Sequence, residues 1–174
     1  MKKYMVLGVA FGWGKRKGLD VFIELAKMLG NEYQIVLVGT DEQIDKLLPD
    51  NIVSIHRTQN KKELAEIYTA ADVFVNPSRE DNYPTVNMEA IACGTPVVTF
   101  DTGGSPEEVD PTCGGVVSCD DVEALKLEII RICNEKPFCK EGCVAHAAAF
   151  NKDIKYKQYI GLYQSIIESE EQKR

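Results

Sequence analysis

Apolar and polar positions along this chain follow two periods. Six short runs are dense in β-branched and aromatic residues and read as buried strands. They are Tyr4 to Ala10, Tyr33 to Val38, Ile52 to Ile55, Ala71 to Val75, Pro96 to Phe100 and Gly114 to Val117. Between them, apolar residues return at helical spacing. Leu19, Phe22, Ile23, Ala26 and Leu29 predict one helix, stopped by Gly30-Asn31. A short helix follows Gly39-Thr40-Asp41 and ends near Pro49, and Leu64, Ile67, Tyr68 and Ala71 mark another. Thr85 to Ala92 is a helix closed by Cys93-Gly94, glycine being common just past a helix end. Ser105-Pro106-Glu107-Glu108 reads as a helix start, with a Ser cap, Pro at the first position and acids in the first turn. Asp120 or Asp121 caps a helix carrying Val122, Leu125, Ile129, Ile132 and Cys133. Lys140 to Phe150 is predicted helical. Asp153 to Ser169 predicts an amphipathic helix with Tyr156, Tyr159, Ile160, Tyr163, Ile166 and Ile167 on one side, and Glu170 to Arg174 a frayed end.

Strands that alternate with helices argue for an α/β fold. The expected architecture is a doubly wound, mostly parallel six-stranded sheet with helices on both faces. No internal repeat, low-complexity segment or linker divides the chain, and its 174 residues suit one domain with a real core.

The chemistry concentrates between Asn76 and Gly104. A strand, a loop, the helix Thr85 to Ala92 and a second strand form a parallel crossover unit. Open α/β sheets bind ligands in loops at the carboxyl ends of their strands. The amides of Thr85 and Val86 face out at the helix start, suited to an anion such as a phosphate. Asp81 and Glu89 bracket the start of that helix. Carboxylates do not bind phosphate, but they accept hydrogen bonds from sugar or ribose hydroxyls. Amides for phosphate beside carboxylates for hydroxyls point to a nucleotide sugar. A second candidate stretch, Phe11 to Gly18, is rich in Gly and carries Lys15, Arg16 and Lys17, so backbone and cations can approach a ligand closely.

Composition narrows the field. The net charge is −7, which argues against a nucleic-acid partner. Mean hydropathy is −0.20, and no apolar run approaches a membrane span. Met1 to Ala10 lacks a secretory cleavage pattern, so a cytoplasmic protein is expected. The six cysteines then default to reduced thiols that pack as small apolar residues. With two histidines, His56 and His146, a zinc site is not expected, and His146 among alanines reads as structural. A receiver-like regulator would need acids at the end of the first strand, where Gly12-Trp13-Gly14-Lys15 stands instead.

The stretch from Asp81 to Val98 resembles the donor-binding segment of family 4 retaining glycosyltransferases of the GT-B fold (glycosyl transferase group 1). Asp81, Glu89, Ala90 and Cys93-Gly94-Thr95-Pro96-Val97-Val98 match that family's pattern. Asp81 replaces the more usual Glu, and Glu80 lies beside it. The resemblance covers almost the whole chain but only the carboxyl-terminal, Rossmann-like half of a full enzyme. It implies that residues 1–174 form a nucleotide-sugar-binding domain, with the acceptor-binding amino-terminal domain or subunit absent. Any contact with a membrane surface would go through that missing half. By the resemblance Lys17 holds the donor diphosphate. The family arginine's position is held by Gly12, so Arg16 is the candidate to replace it. Asp81 holds sugar hydroxyls, Glu89 the ribose, and Asn82, Tyr83 and Pro84 shape the loop between them. Lys17, Arg16 and Asp81 are the catalytic candidates. The nucleoside, with UDP and GDP as candidates, is placed near Gly39-Thr40 and the His56-to-Asn60 loop, with Arg57 and Thr58 as readers. Neither a metal nor another cofactor is expected, since no Asp-x-Asp pair appears and basic residues would stabilise the leaving group. The alternative is a non-catalytic or split nucleotide-sugar-binding module that needs a separate partner subunit. Trp13 either stacks on a ligand or covers the core edge, and Tyr83 either contacts the ligand or packs.

Overall fold

The computed structural model describes residues 3–171. The last part of the expected frayed end, from residue 172, lies outside them. Six strands form one sheet: β1 (Tyr4–Val9), β2 (Tyr33–Val38), β3 (Ile52–Ile55), β4 (Val73–Asn76), β5 (Val97–Phe100) and β6 (Gly114–Val117). Their spatial order is β3-β2-β1-β4-β5-β6, and every pairing is parallel. The chain winds outward from β1 to β3, then returns beside β1 with β4. The reversal leaves a crevice between the carboxyl ends of β1 and β4, where such sheets take their ligands.

Among the described residues seven α-helices accompany the strands: α1 (Leu19–Met28), α2 (Glu42–Asp45), α3 (Lys61–Ala70), α4 (Thr85–Ala92), α5 (Val122–Glu135), α6 (Lys140–Ala147) and α7 (Lys152–Glu171). Of the expected cap residues, Asp121 caps a helix and Ser105 does not. Asp41, Asn60 and Asp121 each accept backbone amides at the starts of α2, α3 and α5. Strands covered on both faces need apolar residues pointing both ways. On one face Val6, Leu37, Val75 and Phe100 meet Phe22 and Leu25 of α1 and Leu125 and Ile129 of α5. On the other, Leu7, Val36, Phe74 and Val97 meet Tyr68 of α3, Ala90 and Ile91 of α4 and Cys143 of α6.

Two expectations change. Ser105–Glu108 forms a single 3-10 turn and not the start of a longer helix, because the chain leaves at Val109 with extended backbone. The apolar side of α7 is not buried. Tyr156, Tyr159, Ile160, Tyr163, Ile166 and Ile167 are all exposed. Its main contact is the 3-10 turn Ala148–Phe150, so the helix stands off the sheet layers. All six cysteines are free thiols. Among the described residues no helix is long and apolar enough to cross a membrane.

Candidate functional site

The crevice between β1 and β4 is a cavity of about 260 Å³. Its walls come from two loops. The first follows β1, and its 3-10 turn Lys15–Lys17 ends at Gly18. Gly18 has φ +73, and a Cβ there would stand 2.5 Å from the Pro77 carbonyl oxygen. Glycine therefore lets this loop rest directly on the segment that follows β4. The second loop, after β4, carries Asp81, Tyr83 and Pro84 into α4.

Lys17 and Asp81 meet inside this cavity as an ion pair through Nζ and Oδ2, both side chains less than a fifth exposed. Sixty-four residues separate them in sequence. The start of α4 closes the cavity. Pro84 precedes it and no side chain caps it, so the first amides and the positive end of the helix dipole open toward Thr85 and Val86, which line the space. A cation, a helix amino terminus and a carboxylate thus converge on one small volume.

A larger cavity of about 630 Å³ adjoins it, sharing Val9, Ala10, Phe11 and Val86. Gly39, Thr40, His56, Arg57 and Thr58 line it. These are the positions expected beside the nucleoside. Thr40 is fixed from behind: its Oγ1 lies 2.5 Å from Ser54 Oγ, which donates to Asp45 at 2.5 Å. His56 Nε2 lies 2.6 Å from Asp45, which holds the imidazole pKa above its ordinary value and, with the Ser54 hydrogen bond first, the Asp45 carboxyl below its own. The two spaces form one trough, with Lys17, Asp81 and the start of α4 at the narrow end and a wider end beyond.

The family model for glycosyl transferases group 1 matches residues 7–142. The chain belongs to that family. It is similar to a D-inositol 3-phosphate glycosyltransferase of Catenulispora acidiphila, 36% identical over 110 residues, 61% of this chain and 26% of that protein. Among solved structures it resembles the sucrose-phosphate synthase of Thermosynechococcus elongatus, TM-score 0.81 and 28% identity, covering 96% of this chain and 46% of that one. The HepE protein of Anabaena, solved with UDP-glucose, shares the fold at TM-score 0.78 and 19% identity, covering 94% of this chain and 49% of HepE. This group 1 chain therefore spans no more than about half the length of any of the three.

Other predicted residues fall around the trough. Glu89 lines neither cavity; its Oε2 accepts from the buried Tyr68 hydroxyl at 3.0 Å. Tyr68 stands one turn of α3 beyond Leu64, and Glu89 one turn of α4 beyond Val86, and both Leu64 and Val86 line the larger cavity. Glu89 itself borders a separate groove with Met88 and Ala92 of α4 and Val144 of α6, and burial followed by the Glu89 charge raises the Tyr68 phenol far above its usual pKa. Asn82 is exposed and Tyr83 is 42% exposed, the latter on the cavity wall. Arg16 is exposed and its side chain does not line the cavity; its backbone carbonyl accepts from the Arg79 amide at 2.9 Å. Trp13 covers the core edge: its indole donates to Val38 O at 3.0 Å and meets Phe22 edge-on, while one side borders the cavity.

Two residues escaped the sequence reading. Arg79 binds both Asp20 oxygens, at 2.8 and 2.9 Å, together with Asp120 at 2.7 Å and Lys15 O at 2.5 Å. It ties the basic loop to the acidic one, and its fork lowers the Asp20 pKa. The basic-acidic pairing was visible only as an Arg beside Glu80. Phe11 is 99% exposed and lines both cavities. An aromatic at the head of a glycine-rich loop was the available signal. Away from the trough, Asp110, Cys113 and His146 bring ligand-type atoms within 4.8 Å of one another. Both imidazole nitrogens are engaged there: Nδ1 with Asp110 at 3.0 Å and Nε2 with Glu108 O at 3.0 Å. His146 thereby ties α6 to the segment after Glu108.

Proposed function

We propose that this chain is the donor-binding half of a retaining glycosyltransferase that moves a sugar from a nucleoside diphosphate sugar to an acceptor held by the other half. The observation that carries the reading is the meeting of Lys17, Asp81 and the uncapped start of α4 in one cavity, beside a wider space suited to a nucleoside. In this reading the diphosphate lies against Lys17 and the α4 amides. Negative charge that grows on it as the glycosidic bond breaks meets a fixed cation and fixed amides in a partly dry site, which is where such groups act most strongly. Asp81 orients the sugar through its hydroxyls, and Lys17 exchanges part of its pairing with Asp81 for the phosphate. Glu89 swings from Tyr68 to the ribose. No metal is assigned a part. Arg16 reaches the diphosphate only by turning inward from its exposed position. UDP is the first nucleotide to try, since HepE was solved with UDP-glucose.

A second body is part of the proposal. The exposed apolar residues of α7 and the half-length match to relatives favour an acceptor domain or a separate subunit. Titration calorimetry with UDP, GDP and ADP tests the reading: one should bind and the chain alone should transfer little sugar. Binding of none by the chain joined to its acceptor half would overturn it. Glu89→Ala separates the ribose contact. It should weaken the nucleotide that binds by about 1–3 kcal/mol, the range for stranding a hydrogen-bonded group. It also strands the buried Tyr68 hydroxyl and should lower the ligand-free melting temperature, whereas Glu89→Gln keeps an acceptor for that hydroxyl and separates the two effects. Equal affinity in the parent and the Ala variant removes Glu89 from the site.

A further inference from the structure

Beneath the loop that carries Asp81 lies a buried polar cluster with no part in the scheme above. Glu108 ends the turn Ser105–Glu108 and its side chain is fully buried. Among the described residues neither of its carboxyl oxygens has a hydrogen-bond partner; nor do Ser105 Oγ and Asn87 Nδ2, which are buried too. Buried polar groups are nearly always partnered, so three unpartnered ones on neighbouring elements call for a reason. Ser105 and Glu108 are three apart in a 3-10 turn, where such side chains eclipse. Asn87, on α4, is the side chain that faces the carboxyl as a donor.

From Asn87 a path runs to the donor cavity. Asn76 Nδ2 donates to Asn87 Oδ1 at 2.9 Å, and Ser78 Oγ donates to Asn76 Oδ1 at 2.7 Å. Asn76 and Ser78 line that cavity. On the other side, Gly103 and Gly104 lie directly against the backbone of Asp81 and Asn82, just ahead of the Glu108 turn. The charges acting on the carboxyl, those of Asp81 and Glu107, are both acidic. The Tyr83 phenol lies in the same field, and His146 of α6, itself paired with Asp110, reaches only the backbone carbonyl of Glu108.

We infer that Glu108 is a positioning residue for the donor loop: as a neutral acid it keeps Asn87, Asn76 and Ser78 in place, and as a carboxylate it opens the cavity that Asn76 and Ser78 line. This rests on the donor-binding reading. A dry carboxylate facing two acids is unfavourable, so ionisation draws in water between the Gly103-Gly104 segment and the Asp81 loop. Burial pushes the Glu108 carboxyl up to about 8. A carboxyl raised on folding stabilises the fold most at low pH. That contribution declines as pH rises above the ordinary glutamate value and is gone beyond about 8.

Hydrogen exchange on the whole chain, corrected for the intrinsic pH dependence, tests this without nucleotide. The amides of Ser78, Arg79 and Gly104 are hydrogen-bonded and report on the loop. Their protection should fall about tenfold between pH 7 and pH 9.5 in the parent protein, and less than about twofold in Glu108→Gln. Glu108→Leu serves the same end if the Gln variant folds poorly. UDP titrations run in parallel should show about tenfold weaker binding at the higher pH for the parent only. The titration uses GDP or ADP if one of those is the nucleotide that binds; if none of the three binds the chain joined to its acceptor half, the donor reading has failed, and exchange still decides the role of Glu108. A flat exchange profile in the parent overturns the inference, as does an equal loss in the variants. Protection lost with affinity unchanged overturns it too, because the cavity would then not depend on Glu108.

Discussion

Lys17→Ala should weaken binding of the preferred nucleoside diphosphate by about 10- to 100-fold, and binding of the bare nucleoside by less than about twofold. A hydrogen bond to a charged group contributes about 1.5–3 kcal/mol, and each 1.4 kcal/mol is about tenfold in affinity. A second effect adds to the first. Lys17 is paired with Asp81 in a site where both side chains are mostly shielded from water. Removing the ammonium leaves a shielded carboxylate facing the incoming diphosphate, so repulsion joins the lost attraction. The paired variant Asp81→Asn sorts these terms. It frees Lys17 and removes the repulsion, so the diphosphate should bind at least as well as in the parent. The sugar nucleotide should lose part of its advantage over the bare diphosphate, because a neutral amide accepts through one oxygen only and more weakly than a carboxylate. Calorimetry with the nucleoside, the diphosphate and the sugar nucleotide checks all three. Equal losses across the series for Lys17→Ala would mean that the lysine supports the loop and does not touch phosphate.

The fold was legible because it is carried by local patterns. Within β2 the run Ile35 to Val38 is continuously apolar, which is what burial on both faces demands. The α4 boundaries follow from Pro84 before it and Cys93-Gly94 after it. The parallel, doubly wound sheet followed from the alternation of strand and helix, but its strand order did not. The placement of Thr85, Val86 and Asp81 at one cavity followed from the position of their loop at a strand's carboxyl end. What escaped depends on contacts distant in sequence. Arg79 finds Asp20 fifty-nine positions away, and no local period encodes that distance. Glu108 looked like an ordinary acid of a helix first turn, and only the packing of three elements around it shows it buried. The apolar side of α7 was visible, but its lack of cover was not. Periodicity states which residues share a face, and says nothing of whether the surface that covers them belongs to the same chain.

The donor loop also depends on a backbone contact that a single methyl group would break. Gly103→Ala is expected to lower both stability and nucleotide affinity far more than Gly12→Ala, although both glycines have positive φ. Gly12 has φ +80 and nothing within 4 Å of a Cβ position, so alanine there meets only the conformational penalty, about 1–2 kcal/mol for a left-handed residue. Gly103 has φ +54, and its Cβ would stand 1.8 Å from the Asp81 carbonyl oxygen and 2.9 Å from its carbonyl carbon. The obstacle is backbone, which cannot rotate aside as a side-chain tip does. Relief requires moving the residue whose carboxylate pairs with Lys17, and breaking the 3.3 Å hydrogen bond from Gly104 N to Asp81 O. The Gly103 variant should lose about 1–2 kcal/mol more than the Gly12 variant in denaturant unfolding, roughly a lost hydrogen bond plus residual strain. Its nucleotide affinity should fall by about tenfold or more, since a shift of about an ångström is enough to spoil a positioned site. Matching stabilities and matching affinities for the two variants would show that the Asp81 loop moves freely, and that its position against Gly103 has no bearing on donor binding.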